Sequence, residues 1–584
     1  MCSAAVRTHV HAEHGGGARA PETAEAVRPA VGRIRRGKRF WRQGEPFVWA
    51  TGAALAAVLL LTVVLIAEVL WNGLGTFWPA AIAQVEFTDG RIVLGQWMRE
   101  DVHPDTQVRS VQLKTANREL DPERLDFHWY DQATIRRQSY PPDVFVLERL
   151  ENGNFHGMLE RLQTPSLDLP AAADLVRQFD AAWAAVHRRR AAELGPLTAE
   201  LAALTHRLQD QRQAILVLEY RQKQAHSTGA APAVAAIETR LQELRDQEEG
   251  VKRQSDELVA QQQAKHRALR ENVARFRDAA GQTHAIALLD IVRAYQPNAM
   301  GLAAKTGHYA SKLKELLWDE PRESNTEGGL FPAIFGTVML VFLMSVSCFP
   351  LGVLAGVYLG EYAREGLLVR IVRIAVNNLA GIPSIVYGIF GLGFFVYGVG
   401  STLDRWLYPE LVAASVPTWG TGGVLWASLT LGLLTVPVVI VSTEEALRTI
   451  PRAFRESSHA LGATKLQTLV RVLLPMASPG IMTGFILAMA RAAGEVAPLM
   501  ITGVVKIAPT LALDGEFPFF HADRKFMHLG FHIFDIAFQS PNVEASKPMV
   551  FVTTTLLVLI VLVMSSSAIY LRNSMRKRFT SRSI

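Results

Sequence analysis

Long apolar runs without charged side chains constrain this sequence more than any other feature. The runs are Phe47–Ala67, Gly328–Gly360, Ile374–Leu403, Leu411–Thr443, Val472–Val505 and Met549–Leu571. Only the fifth run contains charges, at Arg491 and Glu495. A bilayer core needs roughly 20 consecutive apolar helical residues. The sequence therefore predicts six membrane-spanning helices.

Basic side chains flank the first and last runs, and they predict the orientation in a bacterial inner membrane. Six lie before Phe47 and four follow Leu571: Arg33, Arg35, Arg36, Lys38, Arg39 and Arg42, then Arg572, Arg576, Lys577 and Arg578. Both termini are expected in the cytoplasm, so the formal charge of +6 indicates membrane flanks and no nucleic-acid partner. The predicted plan is a tail (1–45), a first span (46–71), an external region (72–327), a membrane domain (328–571) and a second tail (572–584).

The external region contains no cysteine, because the two cysteines are Cys2 and Cys348. This excludes a disulfide framework or a thiolate metal site there. His521, His528 and His532, between the last two runs, follow no familiar zinc spacing and are expected to be solvated loop residues. We predict no metal and no cofactor.

Two patterns divide the external region. Alternating stretches in residues 80–165 predict short strands, and residues 175–280 carry a helical period. Apolar residues recur every three or four positions in two arms, from Leu197 to Leu218 and from Ile237 to Phe276, with breakers at 226–232. This spacing predicts an antiparallel coiled-coil hairpin over about 183–280. The hairpin either projects from the membrane or lies on the core of its own domain.

The most specific motif lies in the loop 444–475. The segment Glu456–Gly462 reads E-S-S-H-A-L-G, and after nine residues V-L-L-P ends at Pro475. It resembles, at every spacing, the EAA loop of ABC importer permeases, which docks as helix, turn and helix into a groove of the ATPase subunit. A glycine permits positive φ at the turn, and the proline is expected to end the second short helix. The predicted coupling residues are Glu456, Ser457, Ser458, Gly462, Leu474 and Pro475.

Three further segments are similar to the PstA family of phosphate permease subunits: Pro350–Tyr362, Asn378–Gly388 and Ala488–Leu499. The resemblance covers about residues 330–571. It implies a mainly α, six-span protein with a type I (MetI-like) ABC permease core, into which an α+β external region is inserted. The implied partners are a PstC-like permease subunit, a PstB-like ATPase dimer, a PstS-like periplasmic phosphate-binding protein and the lipid bilayer.

The two charges in the fifth run are candidates for the substrate pathway. Arg491 lies near the middle of 478–504, and Glu495 follows one helical turn later on the same face. A guanidinium suits phosphate oxygens, and a carboxylate accepts the O–H that phosphate keeps at neutral pH and sulfate lacks. A structural salt bridge is the alternative. Asn377 and Asn378, at the start of the third run, either line the pathway or cap a helix.

No phosphate-binding loop for ATP, nucleophile elbow or H-E-x-x-H motif is present in the sequence, so the chain is not expected to be an enzyme by itself. The sequence predicts an ATP-driven phosphate importer subunit. Three alternatives stay open. They are a permease for sulfate, molybdate or phosphonate, a membrane receptor that signals through the hairpin, and a scaffold for a larger assembly.

Overall fold

The computed structural model describes residues 45–102, 108–120, 125–165, 167–170, 174–229, 231–515, 517–540 and 543–580. The predicted N-terminal tail therefore lies almost wholly outside the described residues. The chain divides into two compact units, Met1–Glu68 and Val69–Ile584. Helix α1 (Glu45–Gly75) begins in the first unit, and its last residues belong to the second.

Two antiparallel sheets form the β-rich part of the insertion, which comprises residues 76–329 between the first two spans. The first has the strand order β4-β3-β2-β1-β5, and the second has the order β10-β9-β7-β6-β11, with β8 beside β7. Their strands are β1 Ile82–Phe87, β2 Ile92–Val102, β3 Arg109–Lys114, β4 Phe127–Asp131, β5 Ile135–Ser139, β6 Val144–Arg149, β7 Phe155–Thr164, β8 Leu167–Pro170, β9 Val273–Arg277, β10 Thr283–Ala287 and β11 Ile291–Tyr295. Buried Ile82 and Leu94 contact Val144 and Val146, so apolar packing joins the two sheets.

Four helices accompany the sheets: α2 Leu175–Glu193, α3 Gly195–Ser227, α4 Ala231–Arg270 and α5 Leu302–Trp318. Helix α2 packs on the second sheet, where the Phe179 ring meets Phe145 and Phe276 edge to face at centroid distances of 5.8 Å. The sequence placed Phe276 in the second helical arm, but it lies in β9. The helix ends earlier, at Arg270, and the Asn272 side chain donates to the Leu269 carbonyl at this end.

Helices α3 and α4 form the antiparallel hairpin. Ile215, Leu241 and Leu244 are buried between them. The ion pair from Arg245 to Glu219, at 2.8 Å, also crosses the pair. Helix α3 further contacts the segment Pro409–Ala413, between the third and fourth spans. The hairpin thus lies against the membrane domain, an arrangement that neither sequence-based alternative contained.

The remaining elements follow a short ladder of β12 (Pro321–Arg322) and β13 (Glu327–Gly328). The helices are α6 Phe331–Val357, α7 Leu367–Leu379, α8 Ser384–Phe390, α9 Ser401–Leu407, α10 Pro409–Ala413, α11 Val424–Arg448, α12 Arg452–Ala460, α13 Lys465–Thr468, α14 Leu474–Gly494, α15 Ala497–Thr502, α16 Leu529–Phe534 and α17 Val543–Thr580. Turns of π-helix at 358–362, 391–400, 469–473 and 535–539 extend or join several of them.

Six helices among the described residues are long and apolar enough to span a membrane: Phe47–Gly75, Phe331–Tyr362, Ser384–Leu407, Val424–Arg448, Lys465–Gly494 and Ser546–Met575. The predicted fold class is confirmed, since the chain is mainly helical, has six spans and carries a β-rich insertion. The third span begins at Ser384 and not at Ile374. Pro383, which disfavours helical backbone in the residue before it, separates this span from α7.

The fourth span, α11, is the most buried and forms the centre of the membrane domain. Small residues let its neighbours approach closely. A Cβ added at Gly356 of α6 would lie 2.6 Å from the Thr443 Cβ, and one at Gly484 of α14 would lie 2.2 Å from the Ser442 Cβ. The second and fifth spans thus pack closely against the fourth span at these two glycines.

A buried charge cluster joins α5 to the second sheet. The Glu315 carboxylate accepts from Arg293 at 2.9 Å, Lys312 at 3.1 Å and Arg322 at 2.5 Å. Glu148 shares two of these cations, at 3.0 Å from Arg293 and 2.8 Å from Lys312. Burial by itself raises the pKa of Glu315, but the three cations outweigh it and hold the pKa at about 2.

The insertion is expected to lose stability in acid because of this cluster. A folded pKa of about 2 lies below the ordinary value of 4.5. The stabilisation is therefore complete above about pH 5 and is lost as the pH falls towards 2, by up to about 3 kcal/mol. Hydrogen exchange of the segment around Arg293, in the full chain, measures this loss. Glu315→Gln should flatten the acid dependence, and Glu249→Gln on the exposed hairpin should not. An unchanged profile in Glu315→Gln would contradict the assignment.

Candidate functional site

The loop 444–475 folds as two short helices around a glycine turn. Helix α12 ends at Ala460, and Gly462 adopts a φ of +84°. Thr464 then caps α13, because its side chain accepts from the Gln467 backbone while the Gln467 side chain accepts from the Thr464 backbone. The Ser458 hydroxyl lies 2.9 Å from the Thr468 hydroxyl and ties α12 to α13. The two helices and their turn are therefore fixed to each other.

The proline of this motif does not end the helix, so that prediction is wrong. The helix is continuous from Lys465 to Gly494, and Leu474 and Pro475 lie in the first turn of its α14 part. A π-helical turn at 469–473 ends two residues before the proline. Such turns change the backbone hydrogen-bond register, so a residue without an N–H is accommodated. The second short helix of the loop is thus the beginning of the fifth span.

An ion pair holds α12 against the spans. The Arg455 guanidinium contacts Glu361, at 3.1 Å and 3.2 Å from its Nε, and it donates to the carbonyls of Leu447 at 2.9 Å and Ile450 at 2.8 Å. Glu361 lies at the end of the second span, the Leu447 carbonyl lies in the last turn of the fourth, and Ile450 follows that span by two residues. The sequence did not predict this ion pair, although Glu361 lies in Pro350–Tyr362, one of the segments similar to the PstA family.

Replacing Arg455 by alanine should release α12 from the spans. The change leaves a mostly buried Glu361 carboxylate without its cation and should destabilise this region by about 3 kcal/mol. Faster hydrogen exchange across α12, in the otherwise folded chain, is the measurement. Arg452→Ala is the matched control, since Arg452 begins the same helix and its side chain is exposed. Equal exchange in the two variants would show that the pair carries no anchoring role.

The opposite face of the loop is free in the described part of the chain. Glu456 and Ser457 are exposed. The apolar side chains of Phe454, Leu461 and Leu466 are 47%, 89% and 63% exposed. Exposed apolar groups with a polar rim mark interaction surfaces. We call these three apolar side chains the loop patch.

Arg491 and Glu495 meet, but in a different setting from the expected one. The distance from Arg491 Nε to Glu495 Oε1 is 3.3 Å, and the side chains are 35% and 19% exposed. The helix ends at Gly494, so Arg491 lies in its last turn and Glu495 has extended backbone, with φ −80° and ψ 131°. The prediction of a mid-span pair on one helix face is wrong. A cation in the last turn is favoured by the helix dipole.

The break in the fifth span packs against the start of the third. After Glu495 the chain forms the short helix α15, and a Cβ added at Gly388 would lie 2.7 Å from the Pro498 Cα. The neighbouring Tyr387 is buried, and its hydroxyl donates to the Leu379 carbonyl at 2.7 Å. The start of the third span and the chain after the break in the fifth span are therefore in direct contact.

The two asparagines are not part of this contact. Asn377 and Asn378 lie in the last turn of α7, are exposed, and precede the third span instead of starting it. Among the described residues no hydrogen bond or ion pair joins either side chain to Arg491 or Glu495. Apolar composition alone could not reveal that α7 is separate from the span.

The loop histidines also differ from expectation. His528 and His532 are buried, at 1% and 2% exposure, and were expected in solvent. The His528 Nδ1 accepts from the Gly530 backbone at 3.1 Å, which caps α16. Across the part of the chain that the structure describes, no group of three or more metal-ligating side chains is arranged to hold an ion.

The membrane domain is similar in sequence to known transport proteins. Residues 349–577 match the family described as binding-protein-dependent transport system inner membrane component. A stretch of 261 residues, 44% of this chain, is 31% identical to the "Probable ABC transporter permease protein YqgI" of Bacillus subtilis and covers 81% of that protein. This chain belongs to that permease family. It is a multi-pass membrane protein and a transport subunit, and it is not itself an enzyme.

Two similar permeases carry a substrate in their names. The "Probable phosphate transport system permease protein PstA" of Methanocaldococcus jannaschii is 36% identical over 191 residues, which are 32% of this chain and 60% of that protein. The "Phosphate transport system permease protein PstA" of Mycobacterium leprae is 36% identical over 174 residues, 30% and 51% of the two chains. This permease thus spans about half to three fifths of the length of these relatives, and its membrane domain is PstA-like.

Proposed function

We propose that this permease is one half of the membrane pathway of an ATP-driven phosphate importer. The continuous helix from Lys465 to Gly494 carries the proposal. Its first turn belongs to the loop that would meet an ATPase, and its last turn holds Arg491. At 1.5 Å per residue such a helix is about 45 Å long. Movement of the loop would therefore be transmitted to the charged pair along one uninterrupted helix.

Phosphate is the substrate that suits the pair. The guanidinium of Arg491 offers a planar fork of donors to phosphate oxygens. The Glu495 carboxylate accepts the O–H of a protonated oxyanion and repels an anion that has none. Since 35% of the Arg491 side chain is exposed, the guanidinium keeps donors that Glu495 does not use. The similarity to PstA proteins supports the same substrate.

The proposed partners follow from the same family. A PstC-like permease would complete the pathway, a PstB-like ATPase dimer would bind the loop patch, and a PstS-like protein would deliver phosphate. In this arrangement both termini and the loop 444–475 face the cytoplasm, while the insertion faces the periplasm. Three candidate spans separate the insertion from the loop, which supports placing the two on opposite sides of the membrane.

Uptake competition tests the substrate. Cells that lack the chromosomal copy and carry it on a plasmid should accumulate labelled phosphate, and a tenfold excess of sulfate or molybdate should not compete. Cells without the plasmid are the control. Inhibition by sulfate or molybdate equal to that by unlabelled phosphate would replace the proposal with a general oxyanion permease.

A further inference from the structure

A cavity of about 150 Å³ lies inside the insertion, where the two sheets meet the segment after α1 and the start of the sixth span. Strand residues Lys114 and His156 line one side, and Glu327 of β13 lines another. Trp78 and Met549 contribute from the membrane side. The space holds several waters or one small organic molecule.

Two buried acceptors in this cavity have no partner. His156 is 2% exposed and its Nδ1 makes no hydrogen bond, and the Asn154 Oδ1 is equally unsatisfied among the described residues. Burial lowers the pKa of His156 to about 3. The imidazole is therefore neutral and has one acceptor nitrogen, and we assign this role to the Nδ1 that has no partner. Buried acceptors require a donor, so the occupant must carry N–H or O–H groups.

Two charges at the cavity also lack a counter-ion within 4 Å in the described part of the chain. Burial raises the pKa of Glu327, and Lys114 offsets this only in part. The Lys114 Nζ lies 5.8 Å from the centroid of the Phe127 ring and forms no ion pair. Glu315 is the contrast within the same cavity, since three cations satisfy it. The occupant must therefore offer a cation to Glu327 and an anion to Lys114.

The charged side chains that line the cavity, taken together with their ion-pair partners, carry no net charge. Its basic and acidic members are equal in number: Lys114, Arg118, Arg293, Lys312 and Arg322 against Asp126, Glu148, Glu315, Glu323 and Glu327. A free anion such as phosphate would leave an uncompensated buried charge, which is costly. A molecule with one positive and one negative group keeps the balance.

We propose that this cavity binds a small zwitterion with the chemistry of a free amino acid. Its carboxylate pairs with Lys114, and its ammonium donates to Glu327, the Asn154 Oδ1 and the His156 Nδ1. The short side chain contacts Val146, which lines the cavity. Because the walls come from both the insertion and the sixth span, a bound amino acid would stiffen their junction. The proposal is independent of phosphate transport.

Calorimetry on the full chain in lipid nanodiscs, prepared without amino acids in the buffer, tests it with L-alanine, glycine and L-serine. At least one should bind saturably at millimolar concentration or below. Acetate and methylammonium, with one charge each, and glycine betaine, without N–H donors, should bind at least about tenfold more weakly. No binding by any of the three amino acids would leave water as the only occupant and overturn the proposal.

Variants locate the site. Lys114→Met and Glu327→Gln should each weaken amino-acid binding at least about tenfold. Lys252→Met and Glu271→Gln, at exposed positions elsewhere in the insertion, should leave it unchanged. Binding that is equal in all four variants places the amino acid elsewhere and overturns the assignment. Inorganic phosphate is tested in the same way. If phosphate binds in place of the amino acid, and its binding is lost in Lys114→Met and Glu327→Gln, the proposal of a zwitterionic ligand is overturned. The wild-type titration remains decisive where a variant fails to fold.

Discussion

Replacing Arg491 by glutamine is expected to reduce phosphate uptake at least about 100-fold while the chain still assembles in the membrane. The guanidinium is the cation at the break of the fifth span, and it makes an ion pair only with Glu495, at 3.3 Å, in the described part of the chain. Losing charged hydrogen bonds to a bound phosphate costs about 3 kcal/mol. Labelled phosphate uptake, normalised to the amount of membrane-inserted chain, measures the loss.

The matched control is Arg405→Gln, because Arg405 is an exposed arginine in the short helix α9. It should leave uptake within about twofold of the wild type, as surface substitutions rarely matter. Full uptake by Arg491→Gln would remove Arg491 from the pathway.

A double variant separates transport from packing. If the pair were only a structural salt bridge, Arg491→Gln combined with Glu495→Gln would restore uptake, because two neutral amides of similar shape replace the ions. We expect no rescue. Glu495→Gln by itself should keep part of the phosphate uptake and lose the discrimination against sulfate. Rescue by the double variant would assign the pair to packing.

Sequence reasoning located the spans and the loop because both signals are local. Apolar composition over a span reports membrane insertion, and the loop motif falls within 20 consecutive positions. The break after Gly494 escaped it, since hydropathy does not change where helical hydrogen bonding stops. For the same reason hydropathy did not separate α7 from the third span. Asn377 and Asn378 were therefore predicted at the start of that span, although they lie at the end of α7.

The contacts between distant segments escaped it for a different reason. Arg455 and Glu361 are 94 positions apart, and only the packing of α12 under the second and fourth spans brings them together. The docking of α3 on residues 409–413 is equally non-local. The heptad spacing specified which helix faces meet in the hairpin, but it contains no information about a third surface.

Replacing Leu461 by aspartate is expected to abolish ATP-driven uptake with little effect on the fold. Leu461 is 89% exposed and follows α12, so the new carboxylate stays in solvent in the isolated chain. In the proposed complex the leucine is buried against the ATPase. The variant would lose about 2 kcal/mol of apolar burial and bury a charge besides, so the ATPase should bind at least about 100-fold more weakly.

The measurement is the ATP hydrolysis that co-purifies with the tagged chain from its own cells, together with phosphate uptake. Both should fall to background in Leu461→Asp. The control is Leu302→Asp in the insertion, an equally apolar surface change at 72% exposure. In the proposed topology three spans separate the two leucines, so the control would lie on the other side of the membrane and should retain the ATPase. Wild-type ATP hydrolysis in Leu461→Asp would show that the ATPase does not bind through the loop patch. The proposed coupling through the helix Lys465–Gly494 would then be contradicted.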